Sequence, residues 1–377
     1  MPWFDAHLDL ACLAVCGRDM SRPASEAGGP WPPACVTLPS LADGNVGFIL
    51  GTIFIEQVDA ATPVAALTPE QYREGDIDGA RRRGRAQLEV YETWRDRGWI
   101  RIDMPACLRT DAGVGTVRGG MGVSELQPPS LSSRVAKLNG GPPHVGILIE
   151  GADPVWSPEE LPWWKSRGVV AIGMAWARSS RYAQGNMGLP VTGQDTAVGV
   201  SPLGRQLIRE MDALDLVHDL SHLSDRATDD LLSLTDRPVI ASHSNCRSLL
   251  GGDLEGRNQR HLRDETVIEI GRRRGVIGLN LFARFLRQEP PHKDEGRPTI
   301  DHAVAHIERV CELMGHRRGV GLGSDMDGGF GAMSMCDGIE SPTHLGRLAD
   351  ALQARGWSSD EVFGFMVGNW AEFWSGR

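Results

Sequence analysis

No C-x-x-C pair occurs in this chain, and its cysteines, at 12, 16, 35, 107, 246, 311 and 336, are odd in number. That excludes a disulfide framework as the basis of the fold and points to reduced thiols in a cytoplasmic setting. The opening stretch, MPWFDAHLDL, lacks a basic segment followed by a long apolar one, so no secretory signal is expected. The longest apolar run, VGFILGTIFI at 46–55, is half the ~20 residues that a membrane span requires. No apolar tail suggests an anchor. Positive charge is also in deficit. Lys and Arg total 39 against 49 Asp and Glu, a net charge of −10, which argues against nucleic acid or an anionic membrane as partner. Walker loops, G-x-G-x-x-G turns and G-x-S-x-G elbows are missing, so three common catalytic templates fail. There is no internal repeat.

What is present is ordinary globular composition, 41% hydrophobic and 23% charged over 377 residues. Short apolar runs recur at 3–10, 46–55, 144–151, 169–176, 214–222, 237–244, 275–282 and 318–325. They are too uniformly apolar to alternate, as expected of parallel strands covered on both faces. Helical patterns fill most gaps: 68–98, 201–214 behind a Ser-Pro start, 224–235, 263–274, 299–315, 343–355 and 358–374. Eight strands alternating with helices predict a (β/α)8 TIM-type barrel of the α/β class, spanning 1–377 as one domain. Gly/Pro-rich insertions near 17–34 and 111–143 are expected to be surface loops. An open doubly wound sheet is the rival, and it lacks its phosphate turn.

The chemistry sits where these runs end. In such a barrel the active site forms at the C-terminal ends of the strands. His7, Asp9, Glu150, His222, His243 and Asp325 all fall at such ends. Residues two apart on a strand face the same way, so His7 and Asp9 can grip one ion. Glu150 is able to bridge two. Three imidazoles and three carboxylates suit two divalent metal ions, with zinc (Zn2+) the favoured element. Each residue alone has a structural explanation, and only their convergence argues for a metal centre. The remaining histidines are read as structural. His302 and His306, in HAVAH, lack the Glu of a zincin helix.

The segments DAHLDL, LIEGADP, GVSPLGRQLIREMDALDLVHDLSHLSD, RPVIASHSNCR and GVGLGSDMDGG, in this order, resemble the membrane (renal) dipeptidases, binuclear zinc metallopeptidases of the amidohydrolase superfamily. The resemblance implies that His7 and Asp9 bind the first metal, that Glu150 bridges, and that His222 and His243 bind the second. It implies that Asp325 faces the bridging water and that Arg257 and Asn258 hold substrate. It also implies hydrolysis of a dipeptide amide by metal-activated water, with a homodimer as the assembly.

Two positions depart from the family pattern. Trp176 stands where the family has a histidine that contacts substrate, and Phe282 replaces a tyrosine. Both departures touch substrate recognition and neither touches the metals. The same machinery acting on another small amide, ester or lactone is therefore the alternative, and a metal-binding pseudoenzyme the second.

Overall fold

The computed structural model describes residues 1–108, 135, 138, 140–189, 191, 198–251, 259–287 and 296–377. Eleven strands occur among them: β1 (Trp3–Leu8), β2 (Val46–Phe54), β3 (Glu56–Val58), β4 (Gln71–Arg73), β5 (Arg101–Ile102), β6 (His144–Glu150), β7 (Val169–Gly173), β8 (Val217–Asp219), β9 (Val239–Ala241), β10 (Val276–Leu279) and β11 (Val320–Leu322). All eight apolar runs contain one of them.

The order β2-β1-β11-β10-β9-β8-β7-β6 closes on itself because β2 also pairs with β6. That last seam runs in parallel from Phe48 opposite His144 to Phe54 opposite Glu150. The result is a closed eight-stranded parallel α/β barrel, a TIM-type fold. β3 and β4 form a separate two-stranded ribbon, and β5 adds to the outer edge of β6. Every residue of β1 and of β6 is buried, which explains why these runs show no alternation.

Helix starts follow the chemistry of their caps. Ser201 accepts from the Gly204 amide ahead of Pro202–Ala213, and Ser224 from Ala227 ahead of Asp225–Leu234. The long charged pattern at 68–98 is shorter as a helix than expected. Its helix runs Ile77–Asp96, capped by Asp76, because Gln71–Arg73 is drawn into β4. The pattern at 358–374 is also interrupted. Ser359–Phe363 passes through a wide π turn, Gly364–Gly368, before Asn369–Ser375. Asn369 then donates to the Val320 carbonyl at 2.7 Å, and the Trp370 indole to the Leu322 carbonyl at 3.0 Å. In HAVAH, His302 accepts the Thr299 amide at the helix start, while His306 is buried between Cys246 and Leu286. Both are structural.

The 17–34 insertion is more than a surface loop. Arg18, Met20 and Ala27 are buried. The Arg18 guanidinium pairs with Asp327, whose Oδ2 also accepts the Cys35 and Val36 amides at 2.8 and 2.7 Å. Both side chains of the pair are 0% exposed. The insertion is thereby tied to the turn that follows β11. Most of the 111–143 insertion lies outside the described residues.

Removing one partner leaves a buried charge unpaired, which costs about 3–5 kcal/mol. Arg18→Ala is expected to lower the unfolding free energy by that amount in a urea titration. A loss of about 1 kcal/mol or less, the size of a solvated pair, would contradict this account.

Candidate metal centre

The barrel brings His7, Asp9, Glu150, His222, His243 and Asp325 to one rim. Their ligand atoms form three overlapping triads, each within 4.8 Å: His7/Asp9/Glu150, Glu150/His222/His243 and His7/His243/Asp325. Asp9 follows β1 directly and sits at the N-cap of the helix Leu10–Val15 without capping it. Its carboxylate is instead held by the Thr52 hydroxyl and lies 3.9 Å from His7 Nε2. Glu150, at the end of β6, is central. Its Oε2 is 3.3 Å from His7 Nε2, and its Oε1 is 3.1 and 3.3 Å from the Nε2 atoms of His222 and His243.

Two of these residues adopt the left-handed backbone that non-glycine residues avoid. His222 has φ +67° and Asp325 φ +59°. Such conformations cost of order 1–3 kcal/mol and persist where surrounding structure imposes them. The Gly328 position explains the tight turn after β11. A Cβ there would collide with Asp325 Oδ1.

The electrostatics ask for a cation. Burial opposes charge on Asp325, and with Asp9 and Glu150 nearby its carboxyl is pushed up to about 8 despite His7 and Arg260. Asp9 rises to about 6, chiefly through burial. Burial works against a charged His7, but Glu150, Asp9 and Asp325 outweigh it and hold the imidazole at about 10. Burial depresses His222 to about 4 and His243 well below the usual range. Three carboxyl groups therefore converge on one cationic imidazole, with the Arg260 guanidinium nearby. His7 Nε2 is buried with no hydrogen-bond partner. The His222 and His243 Nε2 atoms face each other at 3.0 Å, and His222 Nδ1 is engaged with Asn186 Oδ1 at 3.0 Å. Lone pairs and anionic oxygens converging on one volume fit divalent metal.

Sequence reasoning missed three contributors. Arg260 is buried, donating to the His243 carbonyl at 2.7 Å and the Ser244 hydroxyl at 3.1 Å. Its neighbours in sequence, Arg257 and Asn258, lie outside the described residues. Asn280 donates to Asp325 Oδ2 at 2.8 Å and so orients that carboxylate. Asn186 holds His222 across 36 residues. Arg260 and Asn186 have no local motif that could have marked them, whereas Asn280 stands two residues before Phe282 in the segment that departs from the family pattern.

Trp176 reaches the site. Its ring lies 5.9 Å from that of His222 and packs edge-on against Phe54 at 5.0 Å. Phe282 is set among aromatics, stacked on Phe330 at 4.0 Å and edge-on to Phe285 at 4.9 Å. Arg181, close to Trp176 in sequence, is turned to the backbone of another loop. It donates to the Val155 and Trp156 carbonyls. A fourth triad, Asp103, Cys107 and His144, lies where β6 begins, and there His144 is ion-paired with Asp103 at 2.8 Å. A cavity of about 710 Å³ opens at the other end of the barrel, against Pro238, Val276 and Phe373, and includes none of the six rim residues.

A closed parallel barrel with this rim is the architecture of a metal-dependent hydrolase. The model of the membrane dipeptidase family (peptidase family M19) matches residues 136–376, and the chain belongs to that family. An uncharacterized protein in the pqqA 5′ region of Klebsiella pneumoniae is 30% identical over 203 residues, 54% of this chain and 70% of the relative. Dipeptidase tcpJ of Claviceps purpurea is 32% identical over 164 residues, 44% of this chain but only 35% of the relative. Among solved structures, a metallopeptidase from Rhodobacter sphaeroides, liganded with a phosphinate mimic of L-Ala-D-Ala, superposes with TM-score 0.70 at 22% identity, covering 99% of this chain and 98% of that one. The probable dipeptidase PvdM from Pseudomonas aeruginosa gives 0.74 at 18% identity, covering 100% and 95%. At these identities the structures attest the fold.

Proposed function

We propose that the chain, acting as one barrel unit, is a binuclear metal-dependent dipeptidase-type hydrolase with zinc as its preferred ion. The observation that carries this reading is the placement of Glu150, with separate oxygens toward His7 on one side and toward His222 and His243 on the other. His7 and Asp9 would hold one ion, His222 and His243 the other, with Glu150 shared. Metal bound there lowers the pKa of water from 15.7 towards ~7 and polarises a carbonyl.

The chain's own groups supply the rest. Asp325, oriented by Asn280, takes the proton of the attacking water and returns it to the leaving amine. Cationic charge beside it draws its carboxyl back toward the ionised form that this role needs. Arg260 is a buried guanidinium whose charge is felt by Asp325 and Glu150, and a substrate carboxylate would complement it. The phosphinate carried by the Rhodobacter sphaeroides neighbour is a tetrahedral analogue of water added to a peptide carbonyl, which favours dipeptides as the substrate class. The aromatic wall of Trp176 and Phe54 favours a second reading, the same chemistry on a more apolar amide, ester or lactone. Among the described residues no helix is long and apolar enough to cross a membrane.

Elemental analysis of dialysed protein is expected to find about two divalent ions per chain, the number that two-metal catalysis requires. Glu150→Gln should lose one or both while remaining folded, since a neutral amide no longer screens the two cations. Wild-type occupancy in that variant would remove Glu150 as the bridge.

Asp325→Asn should keep its metal and lose turnover by the value of a general base, about 10²–10⁴-fold. Near-normal hydrolysis would reassign the proton transfer.

A panel of L,L- and L,D-dipeptides alongside apolar amides and esters addresses substrate. Loss of one oxyanion donor costs about 10²–10³ in turnover, so weak activity on ordinary L,L-dipeptides is expected, rising in Trp176→His. Efficient wild-type hydrolysis that the histidine fails to improve would contradict the role given to Trp176.

A further inference from the structure

Ser242 lies between β9 and His243 and is fully buried. Four groups surround its Oγ: His7 Nδ1 at 3.1 Å, His243 Nδ1 at 2.8 Å, Asp219 Oδ2 at 2.6 Å and, more loosely, Ser221 Oγ at 3.5 Å. A hydroxyl has one proton to give and two lone pairs to accept with. The allocation follows from its neighbours. Asp219 is surrounded by donors alone. Its Oδ1 accepts the Ser221 amide at 3.0 Å and the Ser242 amide at 2.8 Å, and its Oδ2 faces the Ser242 hydroxyl. The Ser242 proton therefore goes to Asp219 in a short charge-assisted bond. The two lone pairs of Oγ remain, and they accept from Nδ1–H of His7 and of His243.

We propose that Ser242, polarised by Asp219, is a positioning residue that sets the tautomer of two metal-ligand histidines at once. With a proton held on Nδ1, Nε2 is the ring atom left for metal, by its lone pair in His243 and by release of its second proton in His7, and both Nε2 atoms lie 3.3 Å from Glu150. The proposal rests on reading His7 and His243 as ligands. Under that reading the two rings belong to different metal positions, so a single hydroxyl couples both halves of the centre. His222 stands outside this arrangement and is held separately by Asn186. Close packing keeps Ser242 in place. A Cβ on Gly278 or Gly323 would collide with its carbonyl, so glycine at these positions lets β10 and the end of β11 close on it.

Asp219→Asn is the sharpest variant. The amide oxygen can keep both backbone bonds made by Oδ1, but the amide nitrogen donates to Ser242 Oγ. The hydroxyl then turns its proton to another acceptor, and the nearest is His243 Nδ1 at 2.8 Å, ahead of His7 Nδ1 at 3.1 Å and Ser221 Oγ at 3.5 Å. An imidazole that accepts it has to carry its own proton on Nε2, where metal cannot bind. Ser242→Ala removes the acceptor for both rings. Outer-shell partners of this kind are worth about 10–100-fold in metal affinity.

The experiment is chelator competition for Zn2+ on folded protein, checked by circular dichroism and thermal melting, with wild type, Ser242→Ala, Asp219→Asn and Asn186→Ala in parallel. Ser242→Ala should weaken both binding steps about 10–100-fold, and Asp219→Asn at least one, with Asn186→Ala weakening one step alone. A second measurement reads the relay without metal. In metal-free protein labelled with 15N-histidine, His243 should carry its proton on Nδ1 in wild type and shift toward Nε2 in Asp219→Asn. Wild-type affinity in both Ser242→Ala and Asp219→Asn, or an Nε2 proton on wild-type His243, overturns the proposal. Absence of Zn2+ binding by wild type would instead remove the ligand assignment, while the His243 tautomer still decides the relay.

Discussion

Three carboxyl groups and three imidazoles share one buried space at the barrel rim, and that crowding of like and unlike charge constrains what surrounds it. Burying an ionised carboxylate without a counter-ion is expensive, and the usual escape is to take up a proton. Asp325, lifted to about 8, and His7, held at about 10, show both responses in one cluster. Divalent metal relieves the same imbalance more completely. The surrounding hydrogen bonds make sense on these terms. Asn280 fixes Asp325, Thr52 fixes Asp9 and Asn186 fixes His222. Each leaves its partner's remaining atoms turned toward the shared space.

The scaffold supports this arrangement from outside. Closure through β2 and β6 brings Phe54 level with Glu150, so the aromatic wall and the central carboxylate share one seam. Trp176 then lies between that wall and His222. The buried pair Arg18–Asp327 anchors the first long insertion to the turn carrying Asp325. Loop and turn are in this way joined beside Asp325, although they come from opposite ends of the chain.

The divergence from the family pattern falls on Trp176 and Phe282. Every proposed metal ligand matches its motif, whereas the histidine and tyrosine expected near substrate are an indole and a phenyl ring. Chemistry that depends on the metals is separable from recognition that depends on the wall. A family can therefore keep its reaction and change its substrate by altering a few rim side chains, as loop-built sites on barrels allow.

The eight strands were legible in the sequence because a doubly covered parallel strand must be apolar along its whole length, and each such run ends at the rim. The convergence of the six rim residues was legible for the same reason, since each closes an apolar run, although any one of them alone has a structural explanation. The helix expected at 68–98 was misjudged at its start, where β4 pairs with a distant segment and outweighs local propensity. Arg260 and Asn186 carried no motif, and Asn280, Asp219 and Ser242, though beside or within recognisable segments, showed no role there, because their value lies in contacts with residues remote in sequence. Residue type and strand ends determined which groups could bind metal. Only the closed barrel decided which atoms of those groups face each other, because hydrogen-bond partners across a rim are set by register and closure, not by neighbours along the chain.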